Sequence, residues 1–436
     1  MVVVGAGLAG LRTAEALRAQ GYAGEIVVVG DEPWAPYNRP PLSKEALAGE
    51  FLAELTREIT HQRLAHRVRK AAADVVWRLG TPVVRADVAG HRVELADGAW
   101  LEYDALVAAT GVAARRLSVP GPPPLAAAGR HVIRTLDDAI ALRAQLRPGA
   151  RVVVLGAGFI GCEVAATARV LGCEVDMVAI DPLPMIRPLG PLLAAELQRR
   201  HEQHGVRFHL SMGVSRFEGA GSGTGRVTGV ALVDGSVLAA DLVVEALGSI
   251  PNVGWLDGHG FDLADGVLTD GALRPVAPAT SGDHASGDDR ARGGRARALE
   301  EVAVVGDIAR FPNPRFGPGA WRVEHWSVPT DTGRRAGAVL AAYLAGDAER
   351  CAALASASWE ILPSFWSDQY DLRLQSYGMP GLAEPGGVTV LEGDLDADCV
   401  VGYHRDGQLV GVVGIGMLPR VTSYRDQIRY RVTPLA

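Results

Sequence analysis

Two doubly wound α/β units and a smaller α+β domain are predicted by three observations. A strand–glycine turn–helix pattern occurs twice, carboxylates follow each copy at a fixed distance, and the pattern changes to alternating strands near the C-terminal end. The first copy, VVVGAGLAG (2–10), is an apolar strand running into a glycine turn and a helical pattern through Leu17. The second, VVVLGAGFIG (152–161), repeats the plan, with Val164, Ala165, Ala168 and Leu171 at helical spacing behind it. A second apolar strand follows in each case, IVVVG (26–30) and VDMVAI (175–180). Asp31 and Glu32 come after the first and Asp181 after the second. Gly10 to Asp31 is 21 residues and Gly161 to Asp181 is 20, the length of a βαβ unit that binds a dinucleotide.

The remaining elements are weaker but ordered. LVAAT (106–110), DLVVEAL (241–247) and EVAVVGD (301–307) read as further buried strands. PPPLAAAG (122–129) reads as a hinge, and 277–298, which contains no large apolar residue, as a flexible insertion. After about residue 335 the sequence alternates, and VVGYHRDGQLVGVVGIG (400–416) reads as two strands with a turn at Arg405–Asp406–Gly407.

Composition narrows the function classes. The chain has 436 residues, about three domains at roughly 150 residues each, with 48% hydrophobic and 21% charged residues, an ordinary globular balance. A net charge of −7 argues against nucleic acid as the main partner. No apolar run is long enough to span a membrane, and MVVVGAG begins a strand with no basic leader before it, so a cytoplasmic protein is expected. The four cysteines, Cys162, Cys173, Cys351 and Cys399, form no CxxC pair and no metal motif. Lys44 and Lys70 are the only lysines among 43 basic residues.

Glycine turns of this kind let a pyrophosphate approach the backbone closely, where it meets free N–H groups and the positive end of the helix. Gly5, Gly7, Leu8, Ala9 and Gly10 supply the first turn, and Gly156, Gly158, Phe159, Ile160 and Gly161 the second. Two turns imply two dinucleotides, most economically a bound flavin and a diffusing nicotinamide. Thr110–Gly111 and Gly306–Asp307, each ending a strand, support flavin at the first site, where an Asp at a strand mouth can hold ribityl hydroxyls.

APYNRPPLSKEAL (35–47), GAGFIGCEVAA (156–166), VVGDIA (304–309), RVEHW (322–326) and FWSDQYDLRLQSYG (365–378) together resemble the FAD-dependent ferredoxin reductases of the putidaredoxin-reductase and rubredoxin-reductase type. The resemblance implies an FAD domain split in sequence (1–112 and 241–330), an inserted NAD domain (113–240) and a C-terminal domain (331–436). It also implies FAD contacts at Gly5 to Gly10, Asp31, Glu32, Arg39, Lys44, Val83, Arg134, Asp307 and Trp326, with Gly248 as a further cofactor contact. Lys44 would sit near flavin N5 and Glu163 near the nicotinamide carboxamide, so these two are the catalytic candidates. A cation there would stabilise charge on reduced flavin. The family's NAD-selecting acid would fall at Ala179, and Asp181 is the nearest carboxylate. No Arg lies between 179 and 186, which favours NADH over NADPH.

With no cysteine before residue 162, electrons would leave the flavin directly rather than through a disulfide. The implied function is an NADH:ferredoxin oxidoreductase whose iron–sulfur partner feeds a haem-thiolate monooxygenase or a Rieske dioxygenase, the chain being a monomer or homodimer. A reductase of quinones or similar small molecules, and a flavoprotein used as a redox-dependent binding module, are the alternatives. Arg420, Arg425, Arg429 and Arg431 against one acid, Asp426, form a candidate docking patch for an acidic ferredoxin.

Overall fold

Val2, Val3 and Val4 are 2%, 0% and 3% exposed. A strand buried on both faces belongs inside a parallel sheet covered by helices, and Val2–Val4 is the central strand of one. In this computed structural model, which describes residues 1–49, 57–119, 128–219, 225–276 and 299–430, that sheet runs in the order Val302–Val304, Leu106–Ala108, Val2–Val4, Val27–Val29, Val76–Arg78. All neighbours are parallel, with Val2 opposite both Val27 and Leu106, and Val302 opposite Leu106. The 277–298 insertion, residues 122–127 of the expected hinge, and Arg431 lie outside the described residues.

The chain divides into two compact units. Met1–Asn38, Ala65–Ala113 and Pro251–Pro363 form the first, and Arg39–Leu64, Ala114–Ile250 and Ser364–Ala436 the second. The first is therefore split in sequence, because its edge strand Val302–Val304 arrives after the whole second parallel sheet. Its helix Leu8–Ala19 packs on Val328–Leu344. Gly333 and Gly337 allow that approach, since a Cβ on Gly337 would stand 2.4 Å from the Cβ of Ala16. Val328–Leu344 thus belongs with the first unit, and the division read at 330 falls within it.

The second unit holds a parallel sheet in the order Val206–His209, Glu174–Val178, Arg151–Leu155, Leu242–Glu245, Arg130–His131. Leu242–Glu245 is buried throughout and pairs with Arg151–Leu155. The boundary read at 240 is therefore crossed by this sheet, and the division by packing lies ten residues later, at Pro251. The same unit carries an antiparallel five-stranded sheet from the C-terminal segment: Ser364–Gln369, Leu372–Gly378, Gln408–Ile415, Cys399–Arg405, Val388–Gly393. The turn expected after Arg405 is a two-residue hairpin, with Arg405 opposite Gln408 and positive φ at both Asp406 (52°) and Gly407 (70°), the primed geometry that matches strand twist.

Candidate functional site

Both glycine turns are built alike. Gly5, with φ of +121°, ends the first strand, and a Cβ there would lie 2.1 Å from the carbonyl oxygen of Ala109. A Cβ on Gly10 would lie 2.1 Å from the carbonyl oxygen of Gly5, so this glycine lets the helix close on the turn. Gly7 differs: nothing lies within 4 Å of a Cβ built on it. The second copy reproduces all three environments, with Gly156 2.3 Å from the Ala246 carbonyl oxygen, Gly161 2.0 Å from that of Gly156, and open space at Gly158. The outer glycines serve packing and the middle one keeps space for a ligand. Neither helix Leu8–Ala19 nor Phe159–Val170 has a side-chain cap or an acid in its first turn. The first N–H groups bonded back into the turns are those of Leu11 and Cys162, which leaves the earlier amides for an anion. The chain thus fits a pyrophosphate at each turn.

The first unit brings Thr110 and the Gly306–Asp307 motif to its turn and carries further candidates elsewhere. Thr110 Oγ1 donates to the Asn252 carbonyl (2.6 Å), Asn252 Nδ2 donates to the Thr110 carbonyl (3.1 Å), and Asn252 N donates to the Gly111 carbonyl (3.0 Å). Gly306 donates its N–H to Thr332 Oγ1 (2.9 Å), and a Cβ on it would lie 3.0 Å from the Cβ of Ala9, so the Gly306–Asp307 motif is brought against the first turn. Asp307 is half-buried and Asp31 exposed, while Glu32 Oε2 accepts from the Tyr37 hydroxyl at 2.6 Å. Val83 opens the strand Val83–Asp87. Trp326 is 42% exposed, and burial pushes the neighbouring His325 down to about 4.

In the second unit, Glu163 is buried two residues beyond the third glycine of its turn. Its Oε2 takes the Lys44 ammonium at 2.8 Å and the Ser43 hydroxyl at 2.5 Å, while Oε1 accepts from the Ser367 hydroxyl at 2.6 Å. Lys44 Nζ also donates to the Pro40 carbonyl at 3.2 Å. Their side chains are 9% and 3% exposed, so this is neither a solvated lysine nor a surface acid. A pair so withdrawn from water persists only with its remaining lone pairs satisfied, which the two serines do.

The profile of the family described as pyridine nucleotide-disulphide oxidoreductase matches residues 1–286. The chain belongs to that family. A second profile, reductase C-terminal, matches residues 364–436. This pyridine nucleotide-disulphide oxidoreductase is similar to the rhodocoxin reductase of Rhodococcus erythropolis, at 35% identity over 91% of this chain and 81% of that protein. It is also similar to the ferredoxin–NAD(+) reductase component of the anthranilate 1,2-dioxygenase system of Burkholderia cepacia, at 36% identity over 95% of this chain and 90% of that one. Among solved structures it superposes on the putidaredoxin reductase of a covalent complex with putidaredoxin with a TM-score of 0.82, at 29% identity, covering 99% of this chain and 93% of the other.

Despite the family's title, this oxidoreductase has no disulfide among its described residues. Its four cysteines are free, and Cys162 is fully buried with its thiol pushed far up by burial. Arg39 Nη1 donates to the Arg134 carbonyl at 2.8 Å. Gly248 sits at φ +88° with nothing within 4 Å of a Cβ built on it. Ala179 is buried, and Asp181 is paired with Arg187 at 3.1 Å. No Arg lies between 179 and 186, yet the start of the helix Ile186–Gln203 brings Arg187 back to Asp181, so a cation does stand beside that carboxylate. The C-terminal basic patch is partly neutralised, with Arg425 on Asp426 (2.9 Å) and Arg420 on Glu392 (3.3 Å). No helix among the described residues is long and apolar enough to cross a membrane.

Four residues of these clusters have no motif of their own in the sequence: Asn252, Ser43, Ser367 and Gln369, whose Nε2 donates to Ser367 Oγ at 3.0 Å. A signal existed for two. In Ser364–Gln369 burial alternates, placing Phe365, Ser367 and Gln369 inward; polar residues on the buried face of a strand need partners.

Proposed function

We propose that the chain is an FAD-dependent NADH:ferredoxin reductase that takes hydride from NADH and passes single electrons to a ferredoxin-type iron–sulfur protein serving an oxygenase. The observation that carries this reading is the pair of uncapped glycine turns, on separate parallel sheets, each open only at its middle glycine. The names of its relatives, reductase components of dioxygenase systems and a putidaredoxin reductase joined to its iron–sulfur partner, supply the acceptor class.

In the first unit Gly5, Gly7, Leu8, Ala9, Gly10, Asp31, Glu32, Val83, Thr110, Gly111, Gly306, Asp307 and Trp326 would hold FAD. Its isoalloxazine supplies the exchange between two-electron and one-electron chemistry. In the second unit Gly156, Gly158, Phe159, Ile160, Gly161 and Asp181 would hold NADH, a reading supported by relatives named for NAD(+), beside one named for NAD(P)(+). Lys44 supplies a fixed positive charge to the redox centre, and Glu163 holds the ammonium in place through their 2.8 Å ion pair. No residue need act as a tuned general base, because a hydride and electrons are transferred rather than substrate protons.

The test is NADH-dependent cytochrome c reduction with and without an added [2Fe–2S] ferredoxin. Activity that depends strongly on the ferredoxin supports the reading. Full activity with a quinone alone, unchanged by ferredoxin, contradicts it.

A further inference from the structure

The hydrogen bonds on Glu163 do not stop at Ser367. Gln369 Nε2 donates to Ser367 Oγ at 3.0 Å, and its Oε1 stands 2.7 Å from His201 Nε2. His201, at 0% exposure, lies near the end of the helix Ile186–Gln203, and its Nδ1 is 3.4 Å from the Tyr370 hydroxyl. The Tyr370 ring in turn stacks on His204 at 3.7 Å. Every member of this chain belongs to the second unit.

The proton positions follow from the chemistry of the groups. A carboxylate paired with an ammonium only accepts, so the Ser367 hydroxyl must donate to it. Ser367 Oγ is then free to accept from an N–H, which turns the amide nitrogen of Gln369 toward it. The same nitrogen also faces the Met185 sulfur at 3.7 Å, another acceptor. Gln369 Oε1 is left facing His201, so His201 carries its proton on Nε2 and accepts the Tyr370 hydroxyl at Nδ1. The directions are consistent from one end to the other, and hydrogen bonds aligned in this way strengthen one another. Burial pushes His201 down to about 4, so the imidazole is neutral at ordinary pH, as this arrangement requires.

We propose that His201 is a positioning residue for the Lys44–Glu163 pair: its Nε2–H fixes the Gln369 amide, which fixes the Ser367 hydroxyl on Glu163 Oε1 and leaves Oε2 to Lys44. This rests on the reading of Lys44 and Glu163 as the charged pair of the redox centre. A chain through an amide does not relay protons; it sets the orientation of one carboxylate. His201 lies beyond the kink at Gly190 (φ +70°), so it is the longer, C-terminal part of Ile186–Gln203 that bears on the position of the lysine.

The experiment is the rate of anaerobic flavin reduction by NADH, in single turnover, in the FAD-loaded full chain. His201→Met should slow reduction at least threefold at saturating NADH, with unchanged FAD content. His201→Asn, whose amide can still donate, should restore at least half of the wild-type rate. Ser367→Ala should slow reduction similarly, and the double variant His201→Met/Ser367→Ala should be no slower than the worse single one, because both break one chain. If His201→Met does not retain flavin, Gln369→Met carries the same comparison. A wild-type rate in His201→Met, or losses that multiply in the double variant, overturns the proposal. Glu163→Gln distinguishes the two levels. Slow reduction there beside a normal His201→Met defeats only the positioning role, whereas a normal rate in Glu163→Gln defeats the assignment of the pair itself.

Discussion

The two glycine turns share their backbone and differ two residues beyond the third glycine. After Gly10 that place is Arg12, which is paired with Glu15 at 2.7 Å within its own helix. After Gly161 it is Glu163, which joins Lys44, Ser43 and Ser367, residues 119 to 204 positions away. The same turn thus opens onto a local ion pair in one unit and onto a buried polar cluster in the other. The fold supplies the same cradle in both units, and the helix's second turn differs in what it places beside it.

The largest expected effect separates space from packing. Gly7→Val and Gly158→Val place a side chain in open space, so both variants should fold. The first should lose FAD, and the second should keep FAD while its KM for NADH rises at least tenfold, about 1.4 kcal/mol. Gly5→Val instead drives a side chain against the Ala109 carbonyl and should yield little folded protein. Flavin content and circular dichroism of the three variants check this order.

The next effect addresses position 163 against position 12. Glu163→Gln should slow flavin reduction at least tenfold. Arg12→Met should act on stability, lowering it by about 1 kcal/mol through the loss of a partner for the buried Glu15, with the reduction rate of the flavin-loaded protein within twofold of wild type. Equal kinetic losses in the two would remove the contrast.

Two histidines that burial holds low, the fully buried His201 and the half-buried His325, allow a comparison of the units by pH. Each is held near 4 in the folded chain, below its ordinary value of 6.5. Between those values the unfolded chain binds more protons than the folded one, so stability rises with pH there. It is fully present above about 6.5 and is lost as pH falls toward 4, by a few kcal/mol per histidine on the order of 1.4 kcal/mol for each pH unit. Urea unfolding at pH 7 and pH 5 should show the decline, and His201→Asn should flatten its share of it. A midpoint unchanged between the two pH values would contradict the neutral state of both rings.

The smallest effect concerns nicotinamide choice. With Arg187 beside Asp181, NADH should still be preferred over NADPH. Asp181→Asn should narrow the preference and Arg187→Glu widen it, each by roughly three- to tenfold in kcat/KM, that is about 1 kcal/mol. Opposite signs would mean that neither side chain meets the ribose.

The central strand of each parallel sheet was legible in the sequence as a short valine-rich run before a glycine turn, a signal confined to about ten residues, whereas Val76–Arg78, Arg130–His131 and Val206–His209 carry no such signal. The split of the first unit was legible only through the family resemblance, since Val302–Val304 returns to its sheet nearly two hundred residues after Leu106–Ala108. The cluster on Glu163 was half legible. Lys44 and Glu163 stand in recognisable motifs, but Ser43 is hidden within a proline-rich loop, and Ser367 and Gln369 show only as polar residues on the inward face of a strand. The pairing of Arg187 with Asp181 was not legible, because it depends on the turn before the helix folding six residues back onto the carboxylate. Asn252 gave no signal of its own; its three bonds to Thr110 and Gly111 join segments 142 positions apart.

The claim that the two turns hold two different dinucleotides, one resident and one diffusing, is tested most directly by an anaerobic titration of the purified protein with NADH, read by flavin absorbance. About one FAD per chain, bleached by about one equivalent of NADH, is the predicted result. Two resident flavins per chain, or a resident FAD that NADH does not bleach, would contradict it.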